Sequence, residues 1–309
     1  MHKIYGAYSA AVTPINEDFS INKNLYLSHC KNLLNQGLDG LGIFGTTGEA
    51  NSFNVDEKIE AINYLIEHNI KPSQLIIGTG VCSIRDSVLL TKKASSLKSK
   101  AVLVLPAFYY KNVSNEGVIE YYRSIIEDVG DSDLNYILYH FPKISGVSIN
   151  FEIIEKLLKL YPKNVIGMKD SSGDSQNMIK VIKSFDNFSL FSGSDTLALK
   201  ICQHGGAGAI TATSNISGGL LSYIVKNYKN KKNIKNFDLI QDLQEKIRNM
   251  ATTHEAISVI KAYLSLNENN KDWNRLIPPL KSILDPKKNK TIIGLIELSK
   301  KMNNILSHS

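Results

Sequence analysis

The sequence predicts an α/β chain folded as a (β/α)8 (TIM) barrel with a C-terminal helical appendage. Three observations carry that prediction. Eight short apolar, β-branched runs recur along the chain, amphipathic segments lie between them, and their spacing is even. Eight strand–helix units in about 225 residues approach the roughly 250 that such a barrel uses. A doubly wound sheet is the rival, but no G-x-G-x-x-G follows the first run.

The expected strands, in order, are "GAYSAAV" (6–12), "GLGIF" (40–44), "LIIGTG" (75–80), "AVLVLP" (101–106), "NYILYH" (135–140), "VIGMK" (165–169), "FSLFSG" (188–193) and "GAGAIT" (206–211). Between the second and third, "VDEKIEAINYLIEH" (55–68) places apolar residues three and four apart, with acids in its first turn, as a helix requires. Asn150 is the expected N-cap of "FEIIEKLLKLY", and Pro162 stops that helix. From about residue 230 the strand signal ends. Helical segments follow at 234–250, 253–265 and 291–304, with Pro278-Pro279 interrupting the path. The reading is a barrel over 1–229 carrying the active site, and a helical extension over 230–309 that is not a separate functional domain.

Composition excludes several classes. At 43% hydrophobic and 21% charged, the chain reads as an ordinary soluble enzyme. No apolar run approaches the roughly 18 residues of a membrane span. The opening "MHKIYGAYSAAVTP" reads as a first strand and not a signal peptide, so the expected location is cytoplasmic. Cys30, Cys82 and Cys202 stand far apart, which argues against a disulfide framework or a cysteine zinc site. The net charge of +7 raises a phosphate-bearing partner, but the clusters "KNYKNKKNIKN" (226–236) and "DPKKNK" (285–290) lack any nucleic-acid signature and read as solvated turns. The seven histidines show no H-x-H or H-x-x-x-H spacing, so a metal-dependent aldolase finds no ligand set. No metal or cofactor is expected.

Barrel enzymes carry their reactive groups at the C-terminal ends of the strands. Those ends read "GTTGE" (45–49), "LPAFYY" (105–110), "YHFP" (139–142), Lys169-Asp170, "SGSD" (192–195) and "TATSN" (211–215). Lys169 closing an apolar run is either the point where a strand meets water or an amine placed to react. An apolar barrel mouth favours the uncharged amine, which attacks a carbonyl and forms an imine. That imine would draw electrons from the adjacent carbon. Thr46, Thr47 and the amides of their glycine-bounded turn are donors for a carboxylate. Tyr139, ending the neighbouring strand, could carry protons to the imine nitrogen, or be a tyrosine with a buried ring and a wet hydroxyl.

"GTTGE", "FYY" (108–110), "YHFP", "GMKDSSGD" (167–174) and "GGAGAITATSN" (205–215) occur in the order and spacing of the dihydrodipicolinate synthase/N-acetylneuraminate lyase family. The chain resembles that family over essentially its whole length. The resemblance implies that Lys169 forms the Schiff base with pyruvate or the pyruvoyl end of a substrate, and that Tyr139 is the acid/base group. Thr46 and Thr47 would hold the carboxylate, with Thr46 relaying protons between tyrosines. Tyr110 matches a tyrosine that in many members reaches a neighbouring subunit's site, which implies a homotetramer built as a dimer of dimers. Gly193 and the backbone of Ile210 would line the pocket wall.

The chain departs from the family's pattern at specificity positions. Dihydrodipicolinate synthases usually carry an arginine two residues after the strand-5 proline, and here that position is Ile144. Lys143 beside it should point the other way if the segment is β-like. "ISGV" (144–147) and "SSGD" (171–174) look more like the lyase side, yet sialic acid lyases use an acidic pair where this chain has Asp195-Thr196. His140 replaces a common asparagine, either contacting substrate or packing as a hydrogen-bonded histidine. Ser171 either faces substrate hydroxyls or caps the following helix. The expected activity is therefore a class I lyase or aldolase acting on pyruvate and an aldehyde, or on a 2-oxo acid such as a 2-keto-3-deoxy sugar acid. The alternatives are 4-hydroxy-tetrahydrodipicolinate synthase and a non-catalytic barrel that senses 2-oxo acids.

Overall fold

The computed structural model describes residues 3–233 and 236–307. Its elements alternate as β1 (Gly6–Ala10), α1 (Lys23–Asn35), β2 (Gly40–Ile43), α2 (Val55–Glu67), β3 (Leu75–Gly78), α3 (Ile84–Ser96), β4 (Ala101–Val104) and α4 (Asn115–Val129). The series continues with β5 (Tyr136–His140), α5 (Pro142–Ser145), α6 (Phe151–Leu160), β6 (Val165–Asp170), α7 (Ser175–Ser184), β7 (Ser189–Ser192), α8 (Asp195–Gln203), β8 (Gly208–Thr211) and α9 (Ser214–Asn227). All eight expected strands are present. Each pairs in parallel with its neighbour in sequence, and β8 pairs with β1, so the sheet closes into a barrel. Beyond it lie α10 (Phe237–Ala251), α11 (Ala256–Asn267) and α12 (Lys290–Leu306). The expected start of the first of these, at 234, falls outside the described residues.

Strands alternate their side chains between two layers, as the pleat dictates. In β5, Tyr136 and Leu138 pack outward with the surrounding helices, while Ile137 and Tyr139 pack inward with Tyr8, Leu103, Phe191 and Ile210. Several ladders stop short of their expected C-terminal ends. In β2 the cause is Phe44, whose φ of 53° turns the chain out of the extended conformation. Local chemistry starts the helices: Asn54 and Glu57 form a reciprocal capping box on α2, and the Asn150 side chain accepts from Ile153 N–H at 3.1 Å.

One irregularity decides where the site faces. Tyr136 pairs with Val165, but the next residue, Ile137, pairs with Gly167, so Ile166 is an extra residue on β6. Counted by twos from the outward-facing Val165, Lys169 would face the helices. The bulge shifts that parity, so Met168 packs outward and Lys169 pairs with the inward-facing Tyr139. Gly167 permits the close approach this needs: a Cβ there would lie 2.2 Å from the Ser189 carbonyl oxygen.

Candidate active site

The C-terminal rim of the barrel opens on a cavity of about 350 Å³. Thr46, Thr47, Tyr139, Lys169, Ser171 and Gly193 all line it. Lys169 is 4% exposed and Tyr139 3%. The Lys169 amine donates to the Tyr139 hydroxyl at 3.3 Å and lies 4.3 Å from the centroid of the same ring. Thr46 Oγ1 stands 3.4 Å from the same Tyr139 hydroxyl. Amine, phenol and threonine hydroxyl thus form one chain along which protons can pass. Ser171 and Gly193 meet so closely that a Cβ on Gly193 would fall 2.1 Å from Ser171 Oγ, so glycine is required where β7 gives way to its loop.

Four expected site residues lie elsewhere. Asp195 does not line the cavity. It is buried at the start of α8, where its carboxylate accepts from Thr211 Oγ1 at 2.6 Å, Gln244 Nε2 at 2.9 Å, Thr213 Oγ1 and Arg248. His140 does not line it either: its Nδ1 accepts from Ile149 N–H at 3.0 Å, and burial, opposed by the Asp170 carboxylate, holds the imidazole below its ordinary range. The packed histidine is the reading that holds. Ile210 packs among the inward-facing apolar side chains, and Ala212 takes its expected place in the cavity wall. Tyr110 is 74% exposed and packs edge-on against Tyr109, outside this chain's cavity.

One local alternative is settled and one expectation is corrected. The cap of α7 is Asp174, which accepts from Gln176 and Asn177 N–H, and not Ser171. The segment after β5 is the short helix α5, started by Pro142 and closed by Gly146 at φ 66°, and not an extended strand. Alternation therefore does not apply there, and Lys143 and Ile144 both line the cavity.

The C-terminal helices supply residues the sequence reading missed: Arg248 of α10, and Glu255, Ala256 and Ile257 at the start of α11. A signal was present in α10, where Gln244 and Arg248 lie four apart on a face otherwise marked by Ile240, Leu243 and Ile247. Polar groups on a buried face ask for a partner, and here that partner is Asp195. Among the described residues, no group of three or more His, Cys, Asp or Glu is arranged to hold a metal ion.

Comparison with known proteins accords with this geometry. The dihydrodipicolinate synthetase family model matches residues 3–293. An uncharacterized DapA-like lyase of Chloroflexus aurantiacus is 35% identical over 68% of this chain and 70% of its own. A 4-hydroxy-tetrahydrodipicolinate synthase of Listeria monocytogenes is 34% identical over 72% of this chain and 74% of its own. The crystal structure of CdNal from Clostridium difficile, in complex with mannosamine, superposes with a TM-score of 0.85 at 25% identity, covering 97% of this chain and 100% of that one. A closed eight-stranded barrel with a lysine–tyrosine pair at its rim, matched by that family's model over nearly its whole length, belongs to the dihydrodipicolinate synthetase family, a family of lyases.

Proposed function

We propose that the chain is a class I, Schiff-base-forming lyase or aldolase that makes or breaks a carbon–carbon bond between pyruvate and an aldehyde. One observation carries this reading: a buried lysine amine 3.3 Å from a buried phenol, in a cavity walled by two threonine hydroxyls. In the reaction, Lys169 Nζ attacks the ketone carbon, a C–N bond forms, and the C=O π pair moves onto oxygen. The two protons lost by the amine pass in turn by way of Tyr139 to that oxygen, which leaves as water and yields the imine. A methyl proton shifts to the imine nitrogen and gives an enamine whose carbon attacks the aldehyde, and the aldehyde oxygen takes that proton from nitrogen; water then releases the product and restores the amine. Cleavage is the same sequence reversed.

Thr47 and the amides of its turn hold the pyruvate carboxylate, Thr46 relays protons to and from Tyr139, and Ser171 and Gly193 shape the wall. The barrel carries the reacting groups, and α10 with the start of α11 closes one side of the cavity. The exposed Tyr110 serves the site of a neighbouring subunit in a dimer-of-dimers tetramer, and the enzyme works in the cytoplasm. A second reading, 4-hydroxy-tetrahydrodipicolinate synthase, draws support from the Listeria relative. Ile144 speaks against it, since no guanidinium stands at that position for a semialdehyde carboxylate.

Incubation with pyruvate and borohydride should leave a stable adduct on Lys169 of the wild type and none on Lys169→Ala. An unmodified wild-type protein overturns the proposal. Saturable 2-oxo acid binding with no turnover across a panel of aldehydes would favour the sensor.

A further inference from the structure

The cavity has one guanidinium, and it comes from outside the barrel. Arg248 lines the cavity from α10, with its side chain 22% exposed. Its single recorded acceptor among the described residues is Asp195 Oδ2, at 3.4 Å. That contact is long for a charge-assisted hydrogen bond, which typically spans about 2.7–2.9 Å. Asp195 does not depend on it, because Thr211, Thr213 and Gln244 already donate to the same carboxylate. A guanidinium has five N–H donors, so most of this fork is open.

The acidic groups on the cavity wall are occupied. Asp170 accepts from Ser172 N–H at 2.8 Å and from Asn177 at 3.5 Å. Glu255 caps α11, accepting from Ser258 N–H at 3.0 Å. Among the described residues, neither forms an ion pair with Arg248. Lys143 adds a second positive charge to the wall, and Ile144 contributes none.

We propose that Arg248 is the specificity residue for the second substrate, binding a distal oxyanion, carboxylate or phosphate, on the aldehyde that condenses with pyruvate. Gln244 and Asp195 act as positioning residues that hold its fork toward the cavity. The proposal rests on the pyruvate–imine reading. It replaces the absent strand-5 arginine with one delivered by a C-terminal helix, so the ligand fork enters the cavity from the other end of the sequence.

The test begins with borohydride trapping of pyruvate on the wild type. The wild type and its variants are then assayed with three aldehydes: aspartate semialdehyde for a carboxylate, glyceraldehyde 3-phosphate for a phosphate, and glyceraldehyde as the neutral control. The wild type should favour one anionic aldehyde over the neutral one by tenfold or more in kcat/KM. Arg248→Ala should lower kcat/KM for that aldehyde by about 10–100-fold, mainly through KM, and bring the preference close to one. Arg248→Lys should restore more of a phosphate preference than of a carboxylate preference, because lysine offers a point charge and no planar fork. Arg248→Gln, which keeps a donor for Asp195, decides the question if Arg248→Ala does not fold. A trapped wild type that ignores the distal charge, or a folded variant that keeps the wild-type preference, overturns this proposal alone. Failure to trap pyruvate overturns the imine reading, and this one with it.

Discussion

Of the lysines buried among the described residues, Lys261 and Lys169 have contrasting surroundings. Lys261, in α11, is fully buried against the fully buried carboxylate of Glu49, and it also donates to the Arg275 carbonyl at 3.1 Å. Burial pushes its amine below the ordinary lysine range, and Glu49 pulls it back. Lys169, at the barrel rim, has no carboxylate partner among the described residues; its neighbour is a phenol, and it faces a cavity. A buried ammonium held by a carboxylate is a structural tie, while an amine beside a phenol can give up its proton and react. The same short stretch serves both. In "GTTGE", Thr46 and Thr47 turn to the cavity, while Glu49, at φ 55°, turns away to Lys261 and to the N–H of Ile277 at 3.2 Å. One turn thus joins the rim of the barrel to its helical extension.

The comparison breaks most visibly at Lys261. Lys261→Ala strands the Glu49 carboxylate and should lower stability by about 3–5 kcal/mol. The double variant Glu49→Gln/Lys261→Met should recover most of that loss in urea melts. A single variant as stable as the wild type would mean that the pair holds nothing together. At the other lysine, Tyr139→Phe leaves the ring and removes the proton carrier. Turnover should fall by about 10²–10⁴-fold with little change in melting temperature; an unchanged rate would move the acid/base role to another group.

A smaller effect sharpens the structural side of the contrast. His29 Nε2 donates to Asn215 Oδ1 at 2.8 Å, since that oxygen also accepts from Val12 N–H, and the ring packs edge-on against Trp273. Burial holds its imidazole down to about 4. The unfolded chain binds a proton near pH 6.5 while the folded chain refuses it, so stability is full above that pH. It should fall by about 3 kcal/mol as pH drops toward 4. His29→Gln should flatten that slope between pH 7 and 4.5, and parallel melting curves for the two proteins would rule His29 out as its source.

Much of this was legible in the residues themselves. Apolar runs marked all eight strands, and Asn150 announced a helix start that its contact with Ile153 N–H makes explicit. Lys169 and Tyr139 stood out because they end adjacent strands. Asp195 misled: a carboxylate after a rim glycine reads as a ligand group, but the donors that enclose it come from β8, its following loop and α10. Lys143 sits in a helical turn and not an extended segment, because Pro142 starts a helix there.

The sequence by itself determined the barrel, its strand order and the residue types at its rim, because hydrophobic period and turn chemistry are local and survive in a linear string. Only the tertiary structure decided which way those residues face. A single extra residue, Ile166, turns Lys169 from the helices toward Tyr139, since a period of two inverts with each insertion. Arg248 reaches the cavity across 53 residues of chain from Asp195. No local pattern specifies such a meeting; it follows from how α10 packs on α8 and α9 once the barrel has closed.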